Sequence, residues 1–335
     1  MRLIYLAAVC LLVLPVAAAI HGYAVDARAG DVVADTDIMR SATGIRGLPG
    51  LADPTLKSGS PAVPRKRPEN MIRLAQSQQP LTTGNPSVAP FKWVGRLVTP
   101  APTKQHPNEV SECTGQFIGP NIVLTAAHCL RDLPDNPTGP WYDLTKQTFT
   151  LQYQAGVGSQ MFKTVCGATN PQWVFPPNYA QMTAPQKDAV IAQASQHDFA
   201  MLLVDGNSPT GAMPYQTDWK GKFNGAVKVG YAGNILDEEV VQESRGIVFF
   251  ANDIPMFPQS LPNLVVQWQS ATDFTNGSSG GAWVANFSNS EGANSNILIA
   301  VTSFGNDAYP GATFGAYLTA AEFNPLLNFV ANGCK

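Results

Sequence analysis

The sequence predicts an all-β fold, a sandwich or a barrel, and three observations lead there. Short runs rich in Val, Ile, Thr and aromatic residues recur from about residue 91 to residue 318. Turn-forming residues separate them, drawn from 29 Gly and 27 Pro together with Asn and Asp. Only one segment carries a clear helical stripe, Thr319 to Ala331, with Phe323, Leu326, Leu327 and Val330 on one face. Many short strands punctuated by turn signals are the mark of sandwiches and barrels.

The elements follow in order. Phe91 to Val98 has strand composition. Thr114 to Ile118 and Ile122 to Thr125 flank Gly119-Pro120-Asn121 and read as a hairpin, leading into a turn that holds His128. Further strands are expected at Thr148 to Gln154, Phe199 to Val204, Ala226 to Tyr231, Gly246 to Phe250, Leu264 to Trp268, Gly281 to Ala285, Ile297 to Phe304 and Thr313 to Leu318. Upstream the character changes. Asp26 to Arg46 is mixed and weakly periodic, Gly47 to Pro90 is rich in Pro, Gly, Ser and Gln with a basic cluster at Arg65-Lys66-Arg67, and residues 20–88 read as a propeptide or disordered linker. Order is expected to begin near Phe91, in a domain spanning 89–335.

The first 19 residues read as an export signal: Arg2, an apolar run from Leu3 to Val16, then Ala17-Ala18-Ala19 for cleavage. That run is short for a spanning helix, which needs about 20 residues. The mature protein is therefore expected to be secreted or periplasmic, with no membrane contact after cleavage. A net charge of -3 with only 13% charged residues excludes the basic footprint of a nucleic-acid binder.

Cleavage removes Cys10 and leaves Cys113, Cys129, Cys166 and Cys334. Four cysteines in an exported chain read as two disulfides, with three connectivities open. Cys113 and Cys129 flank the hairpin and are the natural pair, which leaves Cys166 with Cys334. Neither C-x-x-C nor clustered histidines appear, so no metal site is expected.

Three segments carry chemistry. Gly277-Ser278-Ser279-Gly280-Gly281 sets a serine in a glycine turn. Glycine tolerates the backbone that lets the N–H groups of Gly277 and Ser279 converge as an oxyanion hole. Leu124-Thr125-Ala126-Ala127-His128-Cys129 places a histidine in a turn of small residues, suited to a general base. His197-Asp198-Phe199-Ala200-Met201-Leu202-Leu203 puts an acid directly before an apolar strand, where it can orient an imidazole. Asp132, Asp135, Asp143 and Asp205 are poorer candidates, being in polar or turn contexts. His197 is expected to face away from the site, since neighbours along a strand point to opposite faces.

These motifs, in the order His128, Asp198, Ser279, resemble the chymotrypsin-type serine peptidases. The histidine hexapeptide matches that family's motif letter for letter. Phe117-Ile118-Gly119-Pro120-Asn121 followed by Val123-Leu124-Thr125-Ala126 is similar to the secreted bacterial branch, which includes glutamyl endopeptidases. The resemblance covers about residues 91–333 and implies two six-stranded antiparallel barrels, about 89–207 and 208–335, with the site between them. It implies an acyl-enzyme mechanism without cofactor, acting on protein or peptide substrates as a monomer. Cys113 to Cys129 corresponds to the family's bridged hairpin.

Specificity is read from the same resemblance. Val301-Thr302-Ser303-Phe304-Gly305 is similar to the pocket strand that pairs with substrate, and Phe314-Gly315-Ala316-Tyr317 to the opposite wall. Gly305 and Gly315 leave the entrance open, and Ser303 is expected near Asp198. Asp273 stands six residues before Ser279, the spacing of the pocket-floor acid that pairs with substrate Arg or Lys. The alternatives are cleavage after Glu, weakened by Thr302 where those enzymes carry a histidine, and a peptidase-like binding protein without turnover. Activation must differ from that of trypsinogen: Ser278 replaces the aspartate that receives a new N-terminus, and no Ile-Val-Gly-Gly start is present. Removal of the 20–88 segment, by cleavage near Arg67 or Arg73, is the expected route from zymogen to enzyme.

Overall fold

A computed structural model describes residues 81–100, 110–131, 142–221, 223, 226–233, 239–253, 261–268, 277–305 and 312–335. The expected signal, most of the 20–88 segment, Asp273 and the loop holding Asp132 and Asp135 lie outside the described residues.

The first unit is a closed barrel in the order β2-β3-β4-β7-β6-β5. Its strands are β2 (Val94–Pro100), β3 (Val110–Phe117), β4 (Ile122–Thr125), β5 (Thr148–Leu151), β6 (Gln160–Thr169) and β7 (Ala200–Val204). Alternate residues point inward, and the interior is filled by Leu97, Phe117, Phe149, Phe162, Leu202 and neighbours. The ring of Phe117 meets those of Phe149 and Phe162 edge-on at 5.3 and 5.1 Å.

The second unit is a curled sheet in the order β1-β9-β8-β12-β13-β14-β11-β10. It comprises β1 (Leu81–Thr83), β8 (Val227–Gly230), β9 (Gln242–Arg245), β10 (Ile247–Phe250), β11 (Leu264–Trp268), β12 (Ala282–Ala285), β13 (Ile297–Gly305) and β14 (Ala312–Tyr317). Only Gly246 separates β9 from β10, yet they lie near opposite ends of that order. The sheet must therefore curl until its ends meet, with the covalent chain, in place of ladder hydrogen bonds, spanning the seam. Counted as one bent strand, β9–β10 gives a ring of six. Gly246 is needed at the bend, because a Cβ there would lie 2.6 Å from the Trp268 carbonyl oxygen.

Strands β6 and β9 are absent from the expected set, and two further features depart from the sequence reading. β1 pairs with β9, so ordered structure starts by Leu81 rather than near Phe91, and a segment preceding the first barrel completes the second sheet. A second helix is also present, α1 (Ala184–Ser195), just ahead of Asp198. Pro185 lies in its first turn, and Gln186 Oε1 accepts the Thr183 N–H at 2.9 Å, closing the helix start. Asp188 on this helix has Oδ1 buried with no hydrogen-bond partner among the described residues. Burial pushes its carboxyl from 3.8 up to about 6. The folded state then holds this proton more tightly than the unfolded chain, so the stabilisation is complete below 3.8 and is lost as pH rises through about 6. Asp188→Asn is expected to raise the melting temperature near neutral pH and to change it little at about pH 4, as thermal melts at the two pH values would show.

The C-terminal helix α2 (Ala320–Ala331) packs on β6 and β7 and buries Phe323, Leu326 and Val330 in a core cluster that holds residues of both units. Disulfides join Cys113 to Cys129 and Cys166 to Cys334. The second closes a separation of 168 residues and ties the chain end to β6 of the first barrel. Long closures of this kind stabilise by on the order of 2–5 kcal/mol. No helix among the described residues is long and apolar enough to cross a membrane.

Candidate active site

The histidine turn comes first. β4 ends at Thr125, and a single 3-10 turn, Ala127–Cys129, follows. Ala126 and Ala127 are fully buried, which only small side chains permit at this close approach. The Cys113–Cys129 disulfide pins the turn to β3. His128 Nδ1 lies 2.7 Å from Asp198 Oδ2, and the His128 backbone N–H donates to Asp198 Oδ1 at 3.0 Å. With Nδ1–H given to the carboxylate, Nε2 is left with its lone pair, able to take a proton.

Asp198 is 3% exposed. Besides the two His128 bonds it accepts the Ser303 hydroxyl at 2.6 Å on Oδ2. A buried carboxylate is costly unless its oxygens are occupied, and these three donors occupy them. His197, its neighbour, points elsewhere, with Nδ1 at 2.9 Å from Glu322 Oε2 of α2.

The serine turn packs directly on the histidine hairpin, and Gly280 makes that possible. Its φ is +79°, and a Cβ would lie 2.2 Å from Thr125 Oγ1 and 2.6 Å from the Ala126 nitrogen. The Ser279 carbonyl accepts the Thr114 N–H at 2.8 Å, and Gly280 N–H donates to the Thr302 carbonyl at 2.8 Å. Ser279 is thus held between β3 and the strand that carries Ser303. Its hydroxyl is buried and has no hydrogen-bond partner among the described residues, His128 included. Hydrogen bonds that a reaction needs are often long or absent until substrate binds. Gly277 has φ +81°, and the N–H groups of Gly277 and Ser279 make no backbone hydrogen bond among the described residues.

The residues that the resemblance assigns to the substrate pocket are placed as follows. Thr302 and Gly315 face each other across β13 and β14. Gly315 backs onto the Trp283 ring, which a Cβ would approach to 2.8 Å, and Trp283 Nε1 donates to Thr302 Oγ1 at 3.1 Å. Phe304 is 3% exposed, stacked on Phe314 at 4.5 Å, in a buried cluster that also holds Tyr179 and Ile191. Gly305 ends β13, partly exposed. Among the described residues Cys113, His128 and Cys129 cluster within 4.8 Å, but both sulfurs are committed to the disulfide and offer no thiolate to a metal.

Residues 98–200, which include His128 and Asp198, match the family model described as Trypsin. The solved structure of the protease Anisep from Arthrobacter nicotinovorans superposes with a TM-score of 0.53 at 18% identity, covering 75% of this chain and 99% of that one. The fold of this chain, two antiparallel β units with a C-terminal helix, is chymotrypsin-like. A Glu endopeptidase solved with MPD is similar at a TM-score of 0.52 and 18% identity, over 78% of this chain and 99% of its own. An inactivated protease paralogue of the scabies mite, S-I1, reaches 0.52 at 14% identity, over 76% of this chain and all of its own. The trypsin-like fold is thus shared by proteins described as proteases and by one described as inactivated, and the site must decide between them. No curated protein sequence matches the chain.

Proposed function

We propose that the protein is a secreted serine endopeptidase that cleaves peptide bonds through an acyl-enzyme. The observation that carries this reading is the buried Asp198 carboxylate holding His128 by both its N–H and its Nδ1, beside a serine turn seated on the same hairpin. Ser279 Oγ attacks the scissile carbonyl while His128 Nε2 takes its proton. The oxyanion of the tetrahedral intermediate is received by the Gly277 and Ser279 N–H groups. His128 returns the proton to the departing amine, and water repeats the sequence to release the acid product. The two disulfides suit an oxidising compartment outside the cytosol.

For the substrate side chain we propose a basic residue, Arg or Lys, paired with Asp273 by charge and hydrogen bonding. A second specificity, for an acidic side chain, is suggested by the similar fold of a Glu endopeptidase. A fluorogenic peptide library varied at P1, run on wild type and Asp273→Ser, separates them. Loss of cleavage after Arg and Lys in the variant by about a hundredfold or more supports the basic reading. Undiminished cleavage after Arg and Lys in Asp273→Ser removes Asp273 from the pocket floor, and a wild-type preference for Glu establishes the acidic reading.

A further inference from the structure

One buried hydroxyl binds the two halves of the site together, and no local motif announces it. Thr114 lies on β3 directly after Cys113, is fully buried, and uses three of its polar groups on the site. Its N–H donates to the Ser279 carbonyl at 2.8 Å. Its hydroxyl donates to the Gly277 carbonyl at 2.8 Å and accepts the Tyr231 N–H at 2.9 Å. Its own carbonyl accepts the Thr125 hydroxyl at 2.8 Å. The donor and acceptor capacity of one hydroxyl is met without conflict, since a single O–H proton goes to Gly277 and a lone pair receives Tyr231.

Gly277 and Ser279 are the two residues whose N–H groups are assigned to the oxyanion, and Thr114 holds the carbonyl of each. The peptide planes after Gly277 and after Ser279 are therefore fixed. The plane between them, which carries the Ser279 N–H, is bracketed on both sides and tied further by the Gly281 N–H to Ser278 carbonyl bond at 2.9 Å. Gly277, at φ +81°, has no side chain to restrain its backbone, so a hold from outside the turn matters there. The Tyr231 N–H, at the end of β8, references that hold to the second sheet, and the Cys113–Cys129 disulfide references it to the turn of His128. A Cβ at Gly230 would come within 3.1 Å of the Thr114 hydroxyl, so the neighbouring strand leaves room for it.

We propose that Thr114 is a positioning residue for the reaction: its hydroxyl sets the oxyanion turn in register with the His128 hairpin. This rests on the peptidase reading above. Thr114→Val keeps the side-chain shape and removes both hydroxyl bonds. It is expected to lower kcat by about 10- to 100-fold, the scale of a misplaced catalytic group, with KM changed less than about threefold. Inhibition by a peptide boronic acid, which forms a tetrahedral adduct on the serine, should weaken by the same factor as kcat/KM. Thr114→Ser, which retains the hydroxyl, should restore most of the activity.

A wild type inert towards peptides and towards serine-directed phosphonates refutes the peptidase reading, and this inference with it. A wild type that is active, with Thr114→Val equally active or impaired in KM alone, overturns the positioning role while the peptidase reading stands. Should Thr114→Val fail to fold, Thr114→Ala serves for the same comparison, and misfolding of both assigns Thr114 a purely structural role against the proposal.

Discussion

Ser279→Ala is expected to lower kcat by about a million-fold, the scale on which nucleophile and base act as one unit in serine peptidases. Residual hydrolysis should come only from substrate binding and the oxyanion donors. The same change should cost the fold nothing. Ser279 Oγ is buried without a partner among the described residues, so its removal breaks no hydrogen bond and relieves an unsatisfied polar group. Activity and thermal stability should therefore move apart: turnover disappears while the melting temperature stays level or rises. Loss of turnover together with a large drop in melting temperature would mark Ser279 as a packing residue.

Asp198→Asn is the second large effect. Asp198 accepts all three of its hydrogen bonds, from the His128 N–H, His128 Nδ1–H and the Ser303 hydroxyl. An amide cannot accept on both sides, and its NH2 turned towards Nδ1 would drive the ring proton to Nε2. The imidazole would then present a donor to the serine in place of a lone pair. A fall in kcat of about 10^4 is expected at neutral pH with KM little altered, because substrate contacts stay in place. Measured kcat and KM for the variant check this. An effect on KM alone would mean that Asp198 does not act through the imidazole.

The parts of the site that were legible in the sequence are those whose roles are written locally. The segments around His128 and Ser279 carry small residues and glycines because the backbones must approach closely, and Gly280 against Thr125 and Ala126 shows why, whereas Asp198 is marked by standing directly before an apolar strand. The disulfide pairs were legible because Cys113 and Cys129 flank a hairpin. The nearness of Ser303 to Asp198 is implied only by the family resemblance, and the structure bonds the two.

What stayed hidden is tertiary. β6 exposes Met161 and Val165 while burying Thr164, so its polarity alternates against the rule for a half-buried strand. α1 buries only Ile191, Ala194 and Ser195, too little for a stripe, although Thr183, Pro185 and Gln186 form a readable helix start. The Leu81–Thr83 strand is too short to stand out from the polar segment around it. Thr114 gave no signal, since its partner Gly277 is 163 residues away. The Phe304 ring stacks on Phe314 in a buried cluster that also holds Tyr179 and Ile191, two residues outside every element legible in the sequence.

The central claim is that a hydroxyl, an imidazole and a buried acid act together on a carbonyl. Incubation with an aryl peptidyl phosphonate, followed by mass spectrometry of the digested adduct, tests it most directly. One label per chain is expected, on Ser279, formed far more slowly in His128→Ala. Folded wild-type protein that takes up no label, or carries it on another residue, would contradict the account.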